Sequence, residues 1–232
     1  MASFVKDLFV LLKEETRILI GRHEISAGLF RLKQPGITTT QTTEIVIEGA
    51  PSSGNSFALV AFEAAQKKKV RIAHHQHLPF QVTRAARYHI PCIVIIRPPL
   101  DAVVSRVARY GFYQPQTRQA ELWAGYALRH WNMFHEQILD CRPKFLVCEF
   151  RELISDYPAV IERTNSKFNA RFDVPTAELC AQSLSALAEG LRPDKERDVR
   201  KNKFKEWMRQ EQIFAQRLER AQKLYEVVRA SA

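Results

Sequence analysis

Short runs of β-branched and apolar residues alternate along the chain with longer stretches of helical hydrophobic spacing. Residues 44–48 (Glu-Ile-Val-Ile-Glu), 70–73 and 144–150 have strand character. Residues 92–96 (Cys-Ile-Val-Ile-Ile) are apolar throughout, as a strand buried on both faces would be. Helical stretches are expected over 56–66, from Leu78-Pro79 to about 88, and over 100–110, 118–139, 158–168, 176–189 and 205–229. Residues 191–205 are charged and predict loop in part. Strands separated by helices predict an α/β fold with a central parallel sheet flanked by helices, three layers in all. No repeat or low-complexity tract interrupts the pattern. Residues 1–232 are expected to form one domain: a helix and lead-in over 1–43, a core over 44–158 and a helical tail over 159–232.

Residues 4–20 are rich in Leu, Val and Phe, with Phe4, Leu8, Leu11, Leu12 and Ile18 at helical spacing. Seven polar or charged residues, from Lys6 to Arg17, interrupt the run. Neither a signal peptide nor a membrane span is expected, and the apolar face is expected to pack on the core or on a partner, with contact with a membrane surface as the alternative. Forty-six per cent hydrophobic residues exclude wholesale disorder. Thirty-five Lys and Arg against 25 Asp and Glu give a formal charge of +10, which suggests an anionic partner. The basic run 195–209 is interleaved only with Phe204 and Trp207, so nucleic acid is not the expected one. Cys92, Cys141, Cys148 and Cys180 are far apart and form no C-x-x-C pair, which argues against a zinc site or disulfide framework and fits a reducing cytoplasm.

Three segments carry candidate chemistry. Gly49-Ala50-Pro51-Ser52-Ser53-Gly54-Asn55-Ser56 has the spacing of the phosphate loop G-x-x-x-x-G-K-[ST], after a strand and before a helix. Its amides from Ser53 to Ser56 would face an anion, but Asn55 stands where the lysine belongs, which weakens ATP or GTP chemistry. Arg97 follows the third strand and Ser105 lies in the second turn of the next helix, a fork and a hydroxyl suited to a phosphate monoester. His74, His75 and His77 follow the second strand; with no Cys, Asp or Glu at close spacing, a general base, for which His titrates in the right range, is favoured over a metal site. His23, His89, His130 and His135 read as surface or packing residues.

In order and spacing, these elements resemble the sulfotransferases that use 3′-phosphoadenosine 5′-phosphosulfate (PAPS), which carry G-x-P-[KR]-S-G-[TS]-[TS], His-Leu-Pro and Arg-x-x-x-Asp-x-x-x-Ser. The matching segments here are GAPSSGNSF, HQHLP and RPPLDAVVS, followed by CEFRELISDYP, over residues 44–158. The resemblance implies a P-loop-like fold and transfer of a sulfuryl group from PAPS to a hydroxyl or amine without a metal, leaving 3′-phosphoadenosine 5′-phosphate (PAP). It implies that Pro51, Ser52, Ser53, Gly54, Asn55, Ser56 and Phe57 wrap the 5′-phosphosulfate, with Phe57 near the adenine. Arg97 and Ser105 would hold the 3′-phosphate, Arg200 and Lys201 would close over it, and His77 would take the acceptor's proton. Ser52 stands where that family has Lys or Arg, so His75 as imidazolium or a lysine among Lys67, Lys68 and Lys69 is the candidate replacement charge. Asn202 and Lys205 replace two glycines of the family's tail segment. The acceptor, whether a carbohydrate, a lipid or a small alcohol, would meet residues 110–126, the N-terminal helix and the tail; Phe112, Tyr113, Trp123 and Tyr126 could line a pocket, although core packing in a helix is the expected role of Trp123. The alternatives are a weak or inactive nucleotide-binding relative, and a kinase or NTPase with a variant loop in which Glu149 stands in for the magnesium-binding Asp.

Overall fold

A computed structural model describes residues 2–109, 111, 114–189 and 196–230, with the side chains of 2–8 and 189 outside that description. Four strands, β1 (Ile45–Gly49), β2 (Ile72–His74), β3 (Cys92–Ile96) and β4 (Leu146–Glu149), pair in parallel in the order β2-β1-β3-β4. The helices are α1 (Ala2–Gly21), α2 (Ala27–Lys33), α3 (Asn55–Ala65), α4 (Pro79–Tyr88), α5 (Pro99–Arg109), α6 (Arg118–Ile138), α7 (Phe150–Ser155), α8 (Tyr157–Phe168), α9 (Ala177–Glu189), α10 (Arg197–Gln210) and α11 (Gln212–Arg229).

The strands follow their residue patterns closely because side chains alternate between the two faces of the sheet. Val46, Val94, Ile96 and Val147 point into one core with residues of α1, α4, α5, α6, α10 and α11. Ile45, Ile47, Ile93, Ile95 and Cys148 point into the other with α3, α7, α8 and α9. Both cores bury β3 completely, which explains its unbroken apolar sequence. The sheet is therefore the middle of three layers, as expected.

Three features are informative. The polar stretch before β1 is tied to the core: Thr39 is buried, its amide donates to Gln81 Oε1 at 2.7 Å, and its hydroxyl contacts the same oxygen. A single tail helix over 205–229 is replaced by α10 and α11, with the chain extended at Glu211 between them. There the Trp207 indole donates to Glu211 Oε1 at 2.8 Å, and Phe204, Trp207 and Phe214 pack ring against ring, so the corner is itself a buried aromatic cluster. In α1, Leu11 and Ile18 enter the core, whereas Leu12 faces solvent; Phe4 and Leu8 fall outside the described side chains. Among the described residues no helix is long and apolar enough to cross a membrane.

Candidate functional site

Going from β1, the chain runs to β2 on one side and to β3 on the other, so the strand order reverses between β1 and β3. Ligands of open parallel sheets bind in the crevice at the carboxyl ends of such a pair. Here that crevice is formed by residues 49–56 and by Arg97.

The loop after β1 is built by close backbone approach. A Cβ on Gly49 would lie 2.4 Å from the Ile95 carbonyl oxygen, and Gly54 has φ 102° with the side chains of Leu153 and Phe150 against it. Ser52 adopts φ 66°, a left-handed conformation that costs a non-glycine residue about 1 kcal/mol. Gly54 leads into α3 without a side-chain cap, leaving the amides of the first turn open to an acceptor. The Asn55 side chain turns inward, Nδ2 donating to the Ala50 carbonyl at 3.2 Å, so it braces the loop where the phosphate-loop lysine would reach outward. Ser53 Oγ and Asn55 Oδ1 are buried with no hydrogen-bond partner. Behind the loop a void of about 10 Å³, with Pro51, Val103 and Trp131 in its wall, has room for one water.

Arg97 leaves β3 and crosses to this loop. Its guanidinium donates to the Ser52 carbonyl at 2.9 Å and lies 4.2 Å from the centre of the Phe150 ring. Burial holds its pKa below the usual value, Asp101 opposes that, and nearby Arg197 adds to it. Lys201 is depressed in the same way, first by burial and then by Arg197, with Arg97 and Lys205 also contributing. Arg97, Arg197, Lys201 and Lys205 thus form one cationic group at the end of β3, with Lys205 paired to Asp101. Arg200, expected beside Lys201, pairs with Glu196 at 3.1 Å. Both residues belong to helix α10 rather than to a loop. Ser105 is half-buried in the second turn of α5, and Phe57 is buried in the core under the loop.

The third part is the turn after β2. The strand ends at His74, and His75 and His77 both take φ 54°, yet their rings remain neighbours at 5.7 Å between centroids. His77 Nδ1 lies 2.8 Å from the Gly49 carbonyl, which can only accept, so Nδ1 carries the proton. Burial pushes the His77 pKa well below the usual value; the bond to Gly49 opposes this, and Arg106 reinforces it. The ring is therefore neutral with Nε2 unprotonated, the tautomer a general base requires. His75 Nε2 lies 3.1 Å from Ser56 Oγ, and its Nδ1 lies 2.8 Å from His74 Nδ1. Burial and Arg109 hold the His75 pKa down, which works against its serving as the replacement cation. Lys67 is no better placed: it lies past the far end of α3, about 16 Å away by the helical rise, and pairs with Asp173.

Sequence reasoning missed what holds His77. Glu48 is fully buried, and its carboxylate accepts from the amides of Gln76 at 3.0 Å, His77 at 3.1 Å and Gly49 at 3.3 Å. Desolvation pushes its pKa up to about 7 against the lowering effect of those bonds and of Arg17. His77 Nδ1 is 3.5 Å from Glu48, but with a neutral ring the contact orients rather than forms an ion pair. Arg17 donates to the Gln76 carbonyl at 2.5 Å and His130 Nε2 to the His77 carbonyl at 2.8 Å. His130 is thus part of the brace, with burial driving its pKa down to about 3. The signal available was Glu48 at the carboxyl end of the apolar run Ile45-Val46-Ile47.

Other expected residues lie elsewhere. Trp123 and Tyr126 are buried in the core, the Tyr126 hydroxyl donating to Glu14 Oε2 at 3.1 Å, so neither lines a pocket; Phe112 and Tyr113 fall outside the described residues. Glu149 is engaged by the Tyr225 hydroxyl at 3.1 Å and Arg229 at 2.9 Å, which leaves it poorly placed as a magnesium ligand. Among the described residues no group of three His, Cys, Asp or Glu could hold a metal. Compared with family models, curated proteins and solved structures, the chain matches none.

Proposed function

We propose that this protein is a sulfotransferase with a P-loop-like fold that moves a sulfuryl group from PAPS to a hydroxyl or amine acceptor. The observation that carries this reading is the convergence, at the β1/β3 crevice, of an uncapped glycine loop, the Arg97 guanidinium and a neutral His77 with its Nε2 unprotonated. The residues suit such a donor. Ser53 Oγ, buried without a partner, and the open amides of α3 offer polar contacts to the phosphosulfate, and Arg97 with Lys201 and Arg197 supplies charge for a 3′-phosphate. PAPS supplies an activated sulfuryl group whose leaving group is a phosphate.

In the reaction His77 Nε2 takes the proton of the acceptor as its oxygen or nitrogen forms a bond to sulfur. The bond between sulfur and the phosphate oxygen breaks, and the electron pair leaves with PAP. Holding Nδ1 on the Gly49 carbonyl keeps Nε2 available, and the brace from Glu48, Arg17 and His130 fixes where that atom sits. The loop amides stabilise the charge that develops on the leaving 5′-phosphate, and Arg97 anchors the same nucleotide by its 3′-phosphate. Ser52 in place of a cation favours a second reading, a nucleotide-binding relative with weak transfer activity.

The test is release of PAP from PAPS in the presence of a panel of sugar, lipid and small-molecule alcohols and amines. The proposal expects acceptor-dependent release that disappears in His77→Ala. Tight PAP binding without transfer to any acceptor supports the second reading, and absence of both binding and transfer refutes the two together.

A further inference from the structure

Helices α1 and α2, with the turn between them, each carry exposed apolar side chains that the core does not use. Leu11 and Ile18 of α1 are buried, and at about 100° per residue Phe9 falls opposite them and Leu12 and Leu19 about a quarter-turn round the helix, where all three are exposed. In the next turns Ile25, Leu29 and Leu32 follow at spacings of four and three, Ile25 at 92 % and Leu32 at 83 % exposure. Seven of the fourteen large apolar side chains exposed among the described residues lie within 9–32, so the apolar surface is concentrated on this one segment.

Its charges are sorted as well. The three acids of residues 9–33 are taken up in ion pairs: Glu14 with Arg17 of the same helix and with Arg106, Glu15 with Arg129, and Glu24 with Arg87. Lys13, Arg22, Arg31 and Lys33 are exposed among the apolar residues. Protein–protein interfaces are depleted in lysine at their centres, whereas a helix face of leucine and phenylalanine bordered by cations suits the boundary between headgroups and acyl chains of an anionic bilayer. We infer that α1 and α2 dock this protein on an anionic lipid surface, the apolar side chains entering the interface and the four cations facing the phosphates. The inference is independent of the sulfotransferase reading.

The test is co-sedimentation of the full chain with vesicles of phosphatidylcholine alone and of phosphatidylcholine mixed with phosphatidylserine. Two variants accompany it, Leu12→Ser/Leu19→Ser/Leu32→Ser and Lys13→Gln/Arg22→Gln/Arg31→Gln/Lys33→Gln, each checked for unchanged circular dichroism and Tm. The wild type is expected to pellet with the mixed vesicles, less so at high salt. The charge variant should lose about fivefold in affinity per cation removed, and the leucine variant about tenfold or more. Wild-type protein that stays in solution with the mixed vesicles overturns the inference, as do variants that bind like the wild type. So does a soluble dimer that the leucine variant converts to monomer, because a second copy would then cover the face.

Discussion

The loop after β1 and the turn after β2 border the same crevice, but they are held in opposite ways. The first has few bonds, chiefly those of the Ser53 amide and the Asn55 side chain to the Ala50 carbonyl and of Arg97 to the Ser52 carbonyl, and it keeps the Ser53 hydroxyl, a donor, buried without a partner. The second is braced from several elements: Glu48 on its amides, Arg17 and His130 on its carbonyls, and Gln34 on the Gln76 side chain at 2.9 Å. A loop that waits for an anion needs donors without partners, since a ligand can supply the acceptors. A base must instead have its tautomer and position decided before substrate arrives, because misplacement is costly in rate. The contrast is what a donor-binding loop and an acceptor-activating histidine would each require.

The comparison is broken most severely by removing the base. His77→Ala should lower the transfer rate by about 10²–10⁴ while PAP affinity measured by calorimetry stays within about twofold. A loss of PAP binding instead would put His77 on the donor side of the crevice.

Next in size is the brace. Glu48→Ala removes the carboxylate acceptor of two buried amides and one half-buried amide and is expected to destabilise the protein by about 3 kcal/mol, read from urea unfolding. Glu48→Gln keeps one acceptor oxygen and isolates the titration. The folded pKa of about 7 lies above the ordinary 4.5, so between these values the folded state holds more protons than the unfolded one. Stability from this group is therefore present below pH 4.5 and lost as pH rises to 7, by about 3 kcal/mol at most. His74 and His135 at about 4 and His130 at about 3 act in the other direction, losing stability as pH falls below 6.5. The wild type minus Glu48→Gln difference removes that background; a flat difference across pH 4–8 would contradict the assignment.

The smallest effect concerns the first loop. Ser52→Gly relieves a positive φ and should stabilise by about 0.5–1 kcal/mol, visible as a small rise in Tm. If Tm falls, the Ser52 hydroxyl has a role that its backbone conformation does not reveal.

Much of the scaffold is legible in the chain because local pattern dictates it. The Cys-Ile-Val-Ile-Ile run is β3, Leu78-Pro79 opens α4, and the glycine spacing puts a tight loop between β1 and α3. What stays hidden comes from contacts between distant segments. Nothing local to Glu48 shows that the amides of residues 76 and 77 fold onto it, and nothing near His130 shows that its ring reaches the His77 carbonyl, 53 positions away. The tail misleads for a related reason: its charged residues read as loop, whereas packing of Phe204 and Trp207 makes α10 a helix that delivers Lys201 and Arg197 toward Arg97. Arg197 carries no motif, so only its place beside Arg97 brings it into the site.

The most direct measurement is calorimetric binding of PAP against ATP, each with and without magnesium, to the wild type and to Arg97→Ala. The account predicts magnesium-independent binding that prefers PAP and falls by about 100-fold in the variant, as loss of a charge-assisted fork to a phosphate would give. Preference for magnesium-ATP, or PAP binding that Arg97→Ala leaves unchanged, would contradict it.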